Sequence, residues 1–318
     1  MDDDIRLGVL LPTGKAQWGE GTDPRKLIDF AVRAETLGFA SLWANDSLLS
    51  PRIEALTMLA AVAPVTERVM LGTAALLPVL RRPVQAAQAL ASLDLLSGGR
   101  LTLAVGAGFP GQFGKPLYAL SEVPWRDRFA RLDDTIALWR HLWTSQGPTS
   151  FHGQVLHFDE IPQSTAPNRA GGPPIWLGGA TPAALARTGH LYDGWLPYPP
   201  DPADYQAGLA DVRQAATDGG RDPETITPAL FATLLITDDA DDGRQALDEY
   251  SRINYGLPLE VLETIQTLIA GPRAHVTSQL DRYIAAGARH IVCRIAALDL
   301  TSQLNQLEQI AELIKTTS

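Results

Sequence analysis

The chain of 318 residues has one cysteine, Cys293, only three methionines, and no block of basic residues. A lone thiol excludes an intramolecular disulfide framework and any cysteine-rich zinc site. Lysine and arginine number 26 against 36 aspartate and glutamate, a formal net charge of −10. That balance argues against a nucleic-acid or anionic-membrane surface. No apolar run approaches the roughly 18 residues that a membrane helix needs. The opening Met1-Asp2-Asp3-Asp4 is acidic where a secretory signal is basic, so a cytoplasmic protein is expected. The six histidines are scattered without metal-ligand spacing, and no metal is expected. There is no G-x-S-x-G elbow, and Cys293 lies among Ile291, Val292 and Ile295, as buried filler does. Asp238 to Asp242 lacks calcium-loop spacing and reads as a solvated turn.

What is present is an alternation. Ile5–Leu11, Ala40–Ala44, Val69–Ala74, Leu101–Val105, Pro174–Leu177, Gly194–Leu196, Ala229–Ile236 and His290–Ile295 read as eight strands, each followed by a helical pattern. In the first of those helices Leu27, Phe30, Ala31, Ala34 and Leu37 share one face, and Gly38 supplies the stop. Apolar strands separated by helices imply a covered parallel sheet. Eight βα units favour an α/β fold of the closed (β/α)8 TIM-barrel type as one domain over 1–318, with a doubly wound open sheet as the alternative. Three stretches break the repeat: a loop at Phe109–Pro124 after the fourth strand, a hairpin at Thr149–Pro162, and an irregular segment at Tyr250–Pro272 before the last strand. Long insertions of this kind serve as lids or binding loops.

Two glycine-rich strand ends stand out. Gly106-Ala107-Gly108-Phe109-Pro110-Gly111 matches G-x-G-x-x-G after a strand. A dinucleotide fingerprint would need a helix opening at the third glycine and an acidic residue about 20 positions on, after a second strand. Pro110 and a run of loop residues speak against it; a close seat for a flat ligand and a plain tight turn both remain. Trp176-Leu177-Gly178-Gly179-Ala180-Thr181-Pro182 ends a strand in glycines and opens a helix with a Thr cap and Pro. Free amides and the helix dipole make an anion site there, while an ordinary capped connection is the plain alternative.

Taken in order, these segments resemble the luciferase-like monooxygenase superfamily, whose members use FMN or the deazaflavin F420 on a TIM barrel. The resemblance rests on Ala34-Glu35-Thr36-Leu37-Gly38-Phe39 through Trp43, Leu71-Gly72-Thr73-Ala74-Ala75 with Arg82-Pro83, Leu93 through Gly108, and Gly178 to Pro182 with Asp193-Gly194-Trp195. It implies a non-proline cis peptide behind the flavin ring at Ala74–Ala75, with Thr73–Ala74 as the other register. It implies that Gly106, Ala107 and Gly108 border the ring. Gly178, Gly179, Ala180 and Thr181 would then take the phosphate, with help from Arg187. Many members carry a histidine after an acidic residue following the second strand. Here Asn45-Asp46-Ser47 puts serine in that place, which leaves Asp46 as the candidate catalytic residue.

The resemblance implies a flavin-dependent monooxygenase using reduced FMN and dioxygen on a small organic substrate, with a separate flavin reductase as partner. Phe109, Phe113, Trp125 and Trp195 would form apolar walls around a dry pocket. One alternative is an F420-dependent oxidoreductase that transfers hydride without dioxygen, its anionic tail held by Arg81, Arg82, Arg126, Arg128 and Arg131. Another is a flavin-binding protein without catalysis. Neither nucleic acid nor membrane is an expected partner, and helices at the barrel rim suggest a homodimer.

Overall fold

The computed structural model describes residues 5–48, 50–108 and 111–316, without the side chains of 111–113 and 314–316. Its strands in chain order are β1 (Arg6–Leu10), β2 (Ser41–Ala44), β3 (Met70–Leu76), β4 (Leu101–Val105), β5 (Thr149–His152), β6 (His157–Ile161), β7 (Ile175–Leu177), β8 (Gly194–Trp195), β9 (Thr227–Ile236), β10 (Leu268–Gly271) and β11 (His290–Ile295). The parallel order β9-β11-β1-β2-β3-β4-β7-β8 returns to β9, so eight strands close into a (β/α)8 barrel. The open-sheet alternative falls. β5 and β6 form the separate antiparallel hairpin at the place read from the sequence. Asp134 holds its turn by accepting from the backbone N–H groups of Gln154, Val155 and Leu156.

Alternation along the strands sorts two cores. Leu7, Val9, Leu42, Leu103, Ile291 and Cys293 face the surrounding helices, while Leu10, Trp43, Ala104, Trp176, Phe231 and Val292 fill the interior. Two tryptophans are bulky for that interior, and glycines make the room. A Cβ on Gly72 would stand 2.3 Å from Trp43, and one on Gly194 would stand 2.5 Å from Trp176. The Trp43 indole N–H donates to Ser41 Oγ at 2.7 Å, which in turn bonds His290 Nε2 at 2.7 Å. The lower barrel is therefore a packed plug, and function is confined to the strand ends above it.

Three readings of the sequence need correction. The insertion after β4 is not a loop throughout: a helix runs Gly111–Leu120 despite Pro116. It opens at the third glycine of G-x-G-x-x-G, but no strand pairs behind it before β5, so the dinucleotide reading still fails. The run Asp238 to Asp242 is a helix start rather than a turn. Asp239 accepts from the Asp242 N–H at 2.8 Å and caps a helix that continues to Tyr255, ended by Gly256 in the left-handed conformation. The segment Tyr250–Pro272 thus holds the last turn of that helix, a short helix Leu259–Leu262, and strand β10.

β10 matters for the site. β9 pairs with β8 only at Thr227 and Pro228, and with β10 from Thr233 to Ile236. The Thr267 N–H donates to Tyr198 O at 3.0 Å, so the seam between β8 and β9 is bridged by inserted chain at its C-terminal end.

Candidate active site at the C-terminal end of the barrel

The C-terminal ends of β3, β4 and β7 carry only small residues on their inward side. Ala74 and Ala75 are joined by a cis peptide. The register between β3 and β4 shifts between Thr73 and Leu76, so the strand bulges there. The Thr73 hydroxyl donates to Ala104 O at 2.9 Å across the strands, which commits its only proton there. Gly106 and Gly178 differ from the packing glycines below them. A Cβ at Gly106 would meet nothing nearer than 3.9 Å, and one at Gly178 nothing nearer than 3.6 Å. Among the described residues no neighbour demands glycine at either place, so the missing side chains leave open a cradle along the rim. A flat ring laid on peptide planes needs such a surface.

Ala107 is buried and its carbonyl accepts from the Tyr118 hydroxyl at 2.6 Å, tying the rim to the inserted helix. Burial pushes the Tyr118 phenol up to about 12, so it stays a donor at ordinary pH. At the β7 end, Gly179 takes a φ of +102°, and Thr181 caps the helix Pro182–Leu191 by accepting from the Ala184 N–H at 3.3 Å. Gly179 O accepts from the Trp195 indole at 2.9 Å, and that ring stacks on Tyr205 at 5.2 Å. Trp195 therefore belongs to the outer core and is not a wall of the pocket. Arg187 is also turned away: its Nε lies 2.8 Å from both oxygens of Asp133, so it gives no help to a phosphate. Phe109 and the Phe113 side chain lie outside the described residues. Trp125 is half-buried against Tyr118 at 4.9 Å, on the inserted segment.

Asp46 follows β2, as the sequence reading requires, but its carboxylate is fully engaged. One oxygen lies 3.0 Å from Arg81 Nη2, and the other accepts from the Leu77 N–H at 3.0 Å. Arg81 reaches on to Glu54 at 2.8 Å. Asp46 thus anchors the chain immediately beyond the cis peptide, and a proton-donor role would require breaking this pair. Asp46, Ser47, Arg52, Leu77 and Arg81 line a cavity of about 260 Å³ beside it. A larger cavity of about 680 Å³ opens at the opposite, N-terminal end among Arg6, Arg100, Arg289 and His290. Size does not make it the site, because its floor is the packed Trp176 and His290 plug and none of the small-residue strand ends reaches it.

Residues 5–292 match the model of the luciferase-like monooxygenase family. The chain belongs to that family. Its members include FMN- and F420-dependent oxidoreductases. An F420-dependent glucose-6-phosphate dehydrogenase from Amycolatopsis mediterranei is 29% identical over 317 residues, covering 89% of this chain and 92% of that protein. Among solved structures, an F420-dependent secondary alcohol dehydrogenase holding an F420–acetone adduct superposes with a TM-score of 0.80 at 20% identity, over 98% of this chain and 99% of its own. A monooxygenase from Streptomyces bottropensis superposes with a TM-score of 0.78 at 23% identity, again over 98% and 99%. The fold is thus shared by enzymes of both chemistries.

Within this luciferase-like barrel, two arginines at the same end escaped the sequence reading. Arg294 is the third inward position of β11, above His290 and Val292, and its guanidinium lies 4.7 Å from the centre of the Phe231 ring. Arg52 follows β2 and bonds Asn45 Oδ1 and Ser50 Oγ. The signal for Arg294 was available: a charged residue at an inward position near the end of a mostly apolar strand. Nothing local in the sequence singles out Arg52. Cys293, by contrast, is the filler it was read to be, its thiol pushed up to about 12 by complete burial.

Proposed function

We propose that the chain is an F420-dependent oxidoreductase that moves a hydride between the deazaflavin and a small organic substrate. The observation that carries this reading is the 29% identity to an F420-dependent dehydrogenase along 92% of that enzyme's length. It favours the reading placed second from the sequence over oxygenation with reduced FMN. Bound deazaflavin supplies the two-electron hydride chemistry, and the protein supplies the seat, the orientation and the exclusion of water.

The residues suit such a cofactor. The open cradle at Ala74, Ala75, Gly106 and Gly178 fits the edge and face of a tricyclic ring. The amides at Gly179–Thr181 fit a phosphate at a helix start. The basic groove read from the sequence is reduced but not abolished. Arg82 lies 3.5 Å from Glu122, Arg126 lies 3.4 Å from Asp127, and Arg81 serves Asp46 and Glu54. Arg128 instead rests its guanidinium 4.1 Å over Trp125, and Arg131 is half-buried; neither is paired with a carboxylate among the described residues. Both lie beside Tyr118, which grips the ring seat at Ala107, where an anionic tail leaving the cofactor would pass.

The test is an anaerobic titration of purified protein with F420, FMN and reduced FMN, followed by a panel of alcohols, ketones and sugar phosphates read by the deazaflavin absorbance. F420 should bind tightly, FMN weakly, and at least one substrate should bleach or restore the absorbance without dioxygen. Tight FMN binding with F420 ignored would overturn the proposal. F420 binding without turnover across the panel would leave a binding protein instead of an enzyme.

A further inference from the structure

We propose that the N-terminal mouth of the barrel is a second binding site, which takes the diphosphate group of a small molecule. It lies at the opposite end of the eight strands from the catalytic face, and it does not depend on which cofactor that face holds.

The first observation is a cavity of about 680 Å³ whose charge is one-sided. Arg6, Arg68, Arg100, Arg169 and Arg289 line it, and Glu224 is the only acid among its described lining residues. The chain as a whole carries −10, so this concentration runs against the overall balance. Topology gathers it. Arg6 opens β1, Arg100 and Arg289 immediately precede β4 and β11, Arg68 comes two residues before β3, and Arg169 lies in the connection to β7. Parallel strands all begin at one end of a barrel, so residues scattered along the chain meet at one mouth. The acids nearby are engaged elsewhere: Glu224 pairs with Arg213 at 3.3 Å, and Glu35 accepts from the backbone N–H groups of Glu67, Arg68 and Val69. Arg100 donates to the Thr66 hydroxyl and to the carbonyls of Ala63, Thr66, Val69 and Ser97, so it brings charge without free donors. Arg6 and Arg68 are exposed, and their guanidiniums make no hydrogen bond or ion pair among the described residues. Arg169 reaches only Gly99 O, at 3.3 Å through Nη2, among the described residues.

The second observation is a donor without an acceptor in the floor of that cavity. The Trp43 indole can only donate, and Ser41 Oγ accepts its proton at 2.7 Å. The Ser41 hydroxyl then gives its own proton to His290 Nε2 at 2.7 Å, the acceptor left for it among the described residues. Burial keeps His290 neutral, so its ring proton sits on Nδ1. That N–H has no partner among the described residues, and His290, itself 2% exposed, forms part of the cavity wall. Arg6 stands opposite His290 in the parallel pairing of β1 with β11, so the two side chains share a face. A ligand oxygen between them would meet a guanidinium and an imidazole donor together.

Size and charge select the class. Small-molecule sites enclose roughly 300–1,000 Å³, and this cavity falls inside that range. Met70, Ile226 and Pro228 supply a stretch of apolar wall for the rest of the molecule. β2 separates β1 from β3, so Arg6 and Arg68 spring from chain about 10 Å apart. A single phosphate would have to draw both guanidiniums to one point against their repulsion, whereas two linked phosphates offer each its own pair of oxygens. The planar fork of arginine matches phosphate oxygens in pairs.

The experiment titrates the full-length protein calorimetrically with pyrophosphate, inorganic phosphate and citrate at matched low ionic strength. The same titrations follow on Arg6→Gln, Arg68→Gln, their double variant, and Arg252→Gln as a control on the outer helix Ala240–Tyr255. Pyrophosphate should bind once per chain, with phosphate and citrate at least tenfold weaker. Each mouth variant should raise the pyrophosphate Kd severalfold and the double variant tenfold or more, while Arg252→Gln leaves it unchanged. Arg6 and Arg68 hold no described residue through their side chains, so these variants should fold, as circular dichroism would check; Arg169→Gln stands in for any that does not. Asp2, Asp3 and Asp4 are acidic neighbours of Arg6 in sequence and would compete for the same cations. The triple variant Asp2→Asn, Asp3→Asn, Asp4→Asn should therefore bind pyrophosphate as tightly as the parent or more so. No binding to the parent, an unchanged Kd in the folded mouth variants, or binding lost with the three aspartates overturns the site. Citrate or phosphate binding as tightly as pyrophosphate overturns the ligand class. F420 at saturation should leave pyrophosphate binding intact, and displacement would move the anion to the catalytic face and overturn the proposal.

Discussion

Two inward glycines of neighbouring strands, Gly72 within β3 and Gly106 just past β4, separate packing from binding. At Gly72 an added Cβ would stand 2.3, 2.4 and 2.7 Å from three atoms of the Trp43 ring. Real Cβ atoms do not come that close, and Trp43 is fully buried with its indole N–H fixed on Ser41. Overpacking of this kind costs roughly 1–3 kcal/mol, and more where the clashing group cannot move. Gly72→Ala should therefore lose about 3 kcal/mol or more in urea denaturation. At Gly106 the same Cβ meets, among the described residues, only the Gly108 nitrogen, at 3.9 Å, and the residue does not sit at positive φ. Gly106→Ala should leave stability unchanged or raise it by up to about 1 kcal/mol, because alanine restricts the unfolded chain. Its methyl would occupy the surface on which the ring lies. Cofactor affinity, read anaerobically by fluorescence or absorbance titration, should fall at least tenfold, a change of about 1.4 kcal/mol. Gly106→Val should deepen that loss. If Gly106→Ala and Gly106→Val fold normally and bind F420 or FMN as the parent does, the cradle is not where the ring sits, and the reading of the rim is wrong.

His290 is buried between Trp43 and Trp176, and burial, reinforced by Arg6, depresses it to about 3. It is neutral in the folded protein, whereas the unfolded chain takes up a proton below about 6.5. Its contribution to stability is complete above that value and is lost as pH falls toward 3, at up to about 1.4 kcal/mol per pH unit. Between pH 6.5 and 5, above the range where the depressed carboxylates titrate, the stability of the parent should fall more steeply than that of His290→Asn; parallel slopes would refute the assignment. Cys293 is buried, with its thiol pushed up to about 12. A disulfide reagent should label it no faster than the protein opens, and labelling at the rate of a free thiol in native buffer would contradict the fold.

The strand-helix alternation was legible because apolar runs and amphipathic faces are local patterns. The glycine rim was legible because glycine at a strand end is a local oddity. The helix Ala240–Tyr255 was missed because its acidic start, Asp238 to Asp242, looks like solvated coil until Asp239 is seen as a cap. The helix Gly111–Leu120 was missed because Pro110 and the residues after it read as loop. β10 is four residues long and exists because β9 has a free edge beyond its two pairings with β8. No local pattern reports an edge created by strands distant in sequence.

By itself the sequence determined the barrel and the family, since each is written in residue order: apolar strand runs, capped helices and glycines at the strand ends. The tertiary structure alone decided what the charges mean. Asp46 was the candidate catalytic residue and is paired with Arg81; Arg187 was the candidate phosphate helper and is held by Asp133. Arg52 and Arg294 come from opposite ends of the chain and are both half-buried at the C-terminal end of the barrel, bonded to neutral partners. The strength of a charge depends on the water and countercharge around it, and closure of the barrel is what sets both.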